Sequence, residues 1–285
     1  MSETSSHKQP YLLSAPALIL FLALLGAPLL MTLLLSFNGF DFNRGILPEY
    51  SWANYWEVLS DEYFHEIFLR TFGIAFAVTL ICMLLGAPEA YILSRMRNPY
   101  KSLFLVVILG PLLISVVVRT LGWALLIGGN GVISQTLKAL DLGSFNLMFT
   151  TAGVVIALVH VLIPFMVLSV WASLQKLDPA VEDAGISLGA SQFTVLRRIV
   201  LPQVMPGILS GGMIVFALTA SAFATPSIIG GRRLKVVATT AYDEYLSTLN
   251  WPLGAAIAML LLLANIVIIA SYNRLLERRY ARIFG

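Results

Sequence analysis

Residues Gly185-Ile186-Ser187-Leu188-Gly189 match G-x-S-x-G, the sharp turn that presents a nucleophilic serine in hydrolases. That chemistry needs a strand before the serine, a helix after it, and a histidine and an acid within reach. Here the pentapeptide follows a helix start instead. The three histidines are His7 near the N-terminus, His65 in a polar segment and His160 inside an apolar run. The chain has no G-x-x-x-x-G-K-[ST], so it has no phosphate-cradling loop of its own for ATP. There is no H-E-x-x-H, and the single cysteine, Cys82, lies in an apolar run and reads as a packing residue. Gly128-Gly129-Asn130-Gly131 reads as a turn. The expectation is a chain with no catalytic residues, no metal site and no bound cofactor.

The elements that hold these residues are set by composition. Of 285 residues, 58% are hydrophobic and 12% charged, half the charge of about 25% that is usual for a soluble domain. A membrane-spanning helix needs roughly 20 mostly apolar residues. Six runs qualify, at about 11–36, 71–93, 102–127, 150–173, 204–228 and 253–273. The first contains Pro16 and Pro28 but exceeds the apolar core of a cleaved signal, so it is read as a span. Within the spans, ionisable groups are costly unless paired or wetted. Arg119 can tie to carbonyls or a carboxylate, or it can line a cavity. Glu89 can pair with Arg95 near one interface, face a neighbouring subunit, or bind a cation. His160, and a polar stripe of Thr219, Ser221 and Thr225 ahead of Pro226, are further polar groups in apolar surroundings.

Charge placement orients the chain. With the N-terminus in the cytoplasm, inner segments carry Lys8, Arg95, Arg97, Lys101, Lys176, Arg197, Arg198, Arg274, Arg278, Arg279 and Arg282. These outnumber the outer Arg44, Arg70, Lys138, Arg232, Arg233 and Lys235. The bias places both termini inside, with tails at 1–10 and 274–285 flanking a transmembrane domain at 11–273. The outer loop 37–69 mixes six acids with Trp52, Tyr55, Trp56, Tyr63 and Phe64. It reads as an interfacial helix, or else as a docking surface for an outer partner.

The long polar interruption on the inner side is 176–202, KLDPAVEDAGISLGASQFTVLRRIVLP. Asp178-Pro179 is a helix start, an N-cap followed by proline at the first helical position. Glu182 and Asp183 sit near that positive end. Gly189 suits a left-handed C-cap, and Ser191 caps a second helix from Gln192 to Leu201 that Pro202 ends or kinks. The first helix is too short to be stable alone in water, so it packs on something. From these features alone, a self-packed hairpin and a docking element are equally open.

Asp183-Ala184-Gly185, three residues, Gly189, nine residues, Ile199, one residue, Leu201-Pro202 resembles the cytoplasmic loop motif of bacterial ABC importer permeases. Their pattern has Glu at 183 and Ala at 185, with the same spacing throughout. The runs ILGPLLISVVVRTLGWALLIGGNG, HVLIPFMVLSVWASLQKLDPAVEDA and NWPLGAA are similar to the polyamine (spermidine/putrescine) branch of that family, which also takes in permeases for opines and aminophosphonates. The resemblance implies an all-α integral membrane protein of the bacterial inner membrane. Its fold would be the six-helix type I ABC importer permease, with a coupling helix between helices 4 and 5. Glu182, Asp183, Ala184, Gly185, Leu188, Gly189, Ile199, Leu201 and Pro202 would then be the ATPase-coupling residues. Arg119, His160, Thr219, Ser221 and Thr225 would be pathway candidates. The implied partners are two cytoplasmic ATPase subunits, which hold ATP and Mg, a second permease (a paralogue) and an external solute-binding protein, in a lipid bilayer and without nucleic acid. The rival classes are a stand-alone secondary transporter or channel, and a membrane-bound enzyme.

Overall fold

The computed structural model describes residues 9–284; Lys8 and most of the expected N-terminal tail lie outside the described residues. The chain divides into two compact units. One is the chain up to Glu62 with Thr240–Ala264, and the other is Tyr63–Thr239 with the chain from Asn265 onward. Six helical stretches are long and apolar enough to cross a membrane, one of them Val116–Ala139, which joins two shorter helices.

In the first unit, α1 (Gln9–Leu35) exposes large apolar side chains all round, among them Ile19, Phe21, Leu24 and Met31. A helix apolar on every side suits lipid or a neighbouring helix. The loop expected as an interfacial helix opens with a hairpin, β1 (Asn38–Asp41) antiparallel to β2 (Gly45–Tyr50), and is helical where its aromatics Tyr55 and Trp56 lie, in α2 (Ala53–Ser60). Local hydrogen bonding builds the turn. Asp41 Oδ1 accepts from the Asn43 and Arg44 N–H groups, each at 2.9 Å, and Gly45 takes φ +77°. The Asn54 side-chain amide on α2 donates to the carbonyls of Ser36 and Asn38, fastening helix to hairpin.

The second unit is built on α3 (Glu62–Arg95), α7 (Thr151–Leu174) and α10 (Leu201–Ala220). On α3, Ala75, Val78, Cys82, Ala90 and Leu93 form one buried stripe at helical spacing. Glycines let α7 and α10 approach closely. A Cβ at Gly207 would lie 2.8 Å from the Ser169 carbonyl oxygen, and one at Gly211 would lie 2.9 Å from Met166 Sδ. Small residues four apart on facing helices are the usual means of close packing in membranes.

Two expected spans are reshaped. The run 102–127 is not one helix. It is α4 (Tyr100–Leu109), a short 3-10 turn at Gly110–Leu113, an extended Ile114, and α5 (Val116–Ile127). Gly110-Pro111 carries the break, because proline has no N–H to continue the ladder. After the glycine turn comes α6 (Val132–Ala139). The fifth span does not run on to 228. α10 stops at Ala220, and Thr225 precedes a separate wide turn at Pro226–Gly230, so Thr219 and Thr225 are not one helical stripe. At its other end the span begins early. The chain is helical from Gln192 to Ala220, through α9 (Gln192–Val195), a π turn at Leu196–Val200, and α10. Leu201 N–H bonds the Leu196 carbonyl five residues back. Pro202 therefore does not end the helix, since the wide turn carries the chain past the residue that cannot donate. α11 (Val237–Leu246) and α12 (Trp251–Phe284) complete the order.

Candidate functional site

The interrupting loop folds as its capping residues dictate. α8 (Pro179–Ser187) opens on Asp178, whose side chain accepts from Ala180 N–H at 3.0 Å. It closes in a Schellman motif. Ala190 N–H bonds the Gly185 carbonyl, Gly189 N–H bonds the Ile186 carbonyl, and Gly189 takes φ +85°. Ser191 caps the next turn by accepting from Thr194 N–H at 3.3 Å.

α8 has two faces. Glu182 and Gly185 point inward. Glu182 is only 7% exposed and forms an ion pair with Arg95, the last residue of α3. Gly185 lies against α9 and the π turn, where a Cβ would stand 2.8 Å from Ile199 Cδ1 and 3.2 Å from Val195. Asp183, Ala184 and Ile186 point outward, and Leu188 at the end of the helix is 89% exposed. Of the coupling candidates, then, Glu182 does not face outward with Asp183. Ile199 is half-buried, while Leu201 and Pro202 are exposed. Arg95 does not pair with Glu89. Residues six apart on a helix lie about 120° apart around its axis, which turns the two away from each other.

The other predicted residues form two small groups. Arg119 on α5 is half-buried; its Nε and Nη1 atoms are buried without a hydrogen-bond partner, and among the described residues it makes no ion pair. One turn on, Trp123 Nε1 donates to His160 Nδ1 of α7 at 3.1 Å. An indole nitrogen only donates, so Nδ1 is the accepting nitrogen and the imidazole proton sits on Nε2. The second group is the hydroxyl pair Thr120 and Thr225, 3.0 Å apart and buried. Thr219 and Ser221 spend their hydroxyls on their own helix, on the Val215 and Ala217 carbonyls. Arg95, Thr120 and Trp123 were not foreseen as site residues. Trp123 carries a readable sign, the four-residue spacing that sets it on the same helix face as Arg119.

A family model described as binding-protein-dependent transport system inner membrane component matches residues 10–282. The chain belongs to that family. It is thus a permease component of a binding-protein-dependent ABC importer. Over 267 residues it is 29% identical to the spermidine/putrescine transport system permease protein PotB of Escherichia coli (strain K12), covering 92% of this chain and 96% of that one. Its identity to PotB of Haemophilus influenzae is 30% over 261 residues, covering 88% and 90%. A solved structure of the bacterial alginate ABC transporter, in complex with an alginate pentasaccharide-bound periplasmic protein, matches with TM-score 0.79 and 16% identity over 94% of this chain and 93% of that chain. At that identity the match speaks for the permease fold alone.

Proposed function

We propose that this permease moves a small polar solute, a polyamine or a related amine, opine or aminophosphonate, driven by ATP that separate subunits hydrolyse. The similarity to the PotB proteins supports the cargo class. The observation that carries the coupling is the two-faced α8. It leaves Val181, Ile186 and Leu188 exposed to whatever docks there, while Glu182 and Gly185 brace it on the inward side. Three exposed apolar side chains grouped on so short a helix favour a partner that covers them. In this reading α8 is the coupling helix, seated in a groove of one of two cytoplasmic ATPase subunits, with both termini of the permease in the cytoplasm. A second permease, a paralogue, completes the path, and an external binding protein delivers the solute. ATP binding draws the ATPase pair together, and the docked helices turn that closure into rotation of the spans. The bias arises because nucleotide binds the two states with different affinity.

Transport into vesicles tests this. The permease is co-reconstituted with the ATPase, second permease and binding protein, and uptake of labelled putrescine and spermidine is followed with and without ATP on the ATPase side. Uptake only with ATP is the expected result. Uptake that follows an imposed ion gradient and ignores ATP would instead make the chain a secondary transporter.

A further inference from the structure

Glu182 and Arg95 lie 87 residues apart in sequence, yet they form an ion pair. By contrast the pair of Arg70 with Glu66 joins neighbouring turns of one helix. The Glu182 pair joins two elements. One is α8, nine residues long; the other is the inner end of α3, a continuous helix of 34 residues. At 1.5 Å per residue α3 extends about 50 Å, enough to carry a displacement at one end to the far side of a bilayer.

The Arg95 side chain is also held from behind. Its guanidinium lies 5.3 Å from the centre of the Tyr91 ring, one turn earlier on α3. Glu182 is nearly excluded from water, so separating the pair would strand a buried carboxylate. Apolar contacts such as Gly185 against Ile199 resist being pushed together but oppose separation weakly. An ion pair whose carboxylate is buried, though its Arg95 side chain is 41% exposed, resists separation as well. Push and pull at α8 can therefore both reach α3.

We propose that Glu182 and Arg95 are positioning residues that tie the coupling helix to α3, so that movement of α8 under ATP is transmitted to that span directly and not only along the chain into α7 and α9. The proposal rests on α8 being the ATPase-docking helix.

The test needs no knowledge of the cargo. Leu69, exposed toward the N-terminal end of α3, is changed to cysteine in the reconstituted importer, and its maleimide-labelling rate is compared between the nucleotide-free and the ATP–vanadate-trapped complex. Wild-type pairing should give a clear change in rate on trapping. Glu182→Gln and Arg95→Gln should shrink that change by about fivefold or more, the usual lower range of coupling between sites. Arg95→Lys should keep part of it, and the charge swap Arg95→Glu with Glu182→Arg should restore it. Co-purification of the ATPase, and a crosslink from Leu188→Cys to it, are read on the same samples. If the ATPase binds and crosslinks while the single variants respond like wild type, or if the swap restores nothing, the tie is overturned and the docking assignment stands. If the ATPase neither co-purifies nor crosslinks with the wild-type chain, the docking assignment fails and the tie falls with it.

Discussion

Gly189 sits at φ +85° with no atom within 4 Å of where a Cβ would be. Its requirement is therefore one of backbone conformation, and packing plays no part. An L side chain in this region costs about 1 kcal/mol, a little over fivefold in an equilibrium. Asparagine tolerates the left-handed region better than other non-glycine residues. Gly189→Asn should thus keep most of the transport rate, Gly189→Ala should lose a few-fold, and Gly189→Val should lose more. Gly189→Trp adds a second effect. The bulky ring fits the isolated chain, which leaves the space open, but projects into any partner covering the turn. It should abolish uptake and leave membrane insertion and the permease's thermal stability close to those of Gly189→Val. Normal uptake by the tryptophan variant would remove the turn from the docking surface. Paired measurements of uptake and detergent-solubilised melting temperature decide between these outcomes.

Among elements, the α7–α10 contact makes the sharpest demand on residue size. A methyl group at Gly207 would meet backbone, the Ser169 carbonyl oxygen at 2.8 Å. A methyl at Gly86 would meet Met166 Cγ, also at 2.8 Å, but that atom belongs to a flexible side chain. Overpacking against backbone typically costs about 1–3 kcal/mol. Gly207→Ala should accordingly lower the melting temperature in detergent more than Gly86→Ala does, and the reverse order would refute close packing here. This pair of helices also marks what was legible in the chain. The existence of the spans, the caps at Asp178, Gly189 and Ser191, and the spaced motif at 183–202 all follow from local rules, because hydropathy and capping are decided within a few residues. Other features depend on neighbours that sequence spacing does not reveal. Gly207-Ile208-Leu209-Ser210-Gly211 spells the packing motif, but which helix it meets is a tertiary fact. Glu182 reads as an exposed first-turn acid, and only the position of Arg95 turns it inward. The break after Leu109 lies in a run whose hydropathy never falters. Gly110-Pro111 was its only local sign, and such pairs also occur in helices that merely kink. The hairpin at 38–50 was hidden because its strands are short and β2 contains Pro48, which in a sequence argues against a strand.

At the scale of the whole molecule, the orientation of the chain in the membrane is the premise that every coupling argument needs. The cysteine content makes it directly measurable. Cys82 is the only cysteine in the chain and is fully buried on α3, out of reach of a reagent in water. The native chain should therefore give almost no signal with a membrane-impermeant maleimide, leaving a clean background for single introduced cysteines. Two positions are well placed. Leu188 is 89% exposed beside the α8 turn, and Phe42 is 83% exposed at the hairpin turn. If inner cations set the topology, Phe42→Cys should label in intact spheroplasts. Leu188→Cys should label only after the membrane is opened, and should be protected when the ATPase is bound. The opposite pattern would put α8 on the outer face, where no ATP-driven subunit can reach it, and the proposed mechanism would be wrong whatever the cargo. Labelling of both positions from one side would mean an odd number of crossings between residues 42 and 188 is excluded. The broken 100–127 segment would then be the first place to look, since α4 and α5, at 10 and 12 residues, are each too short to cross a bilayer alone.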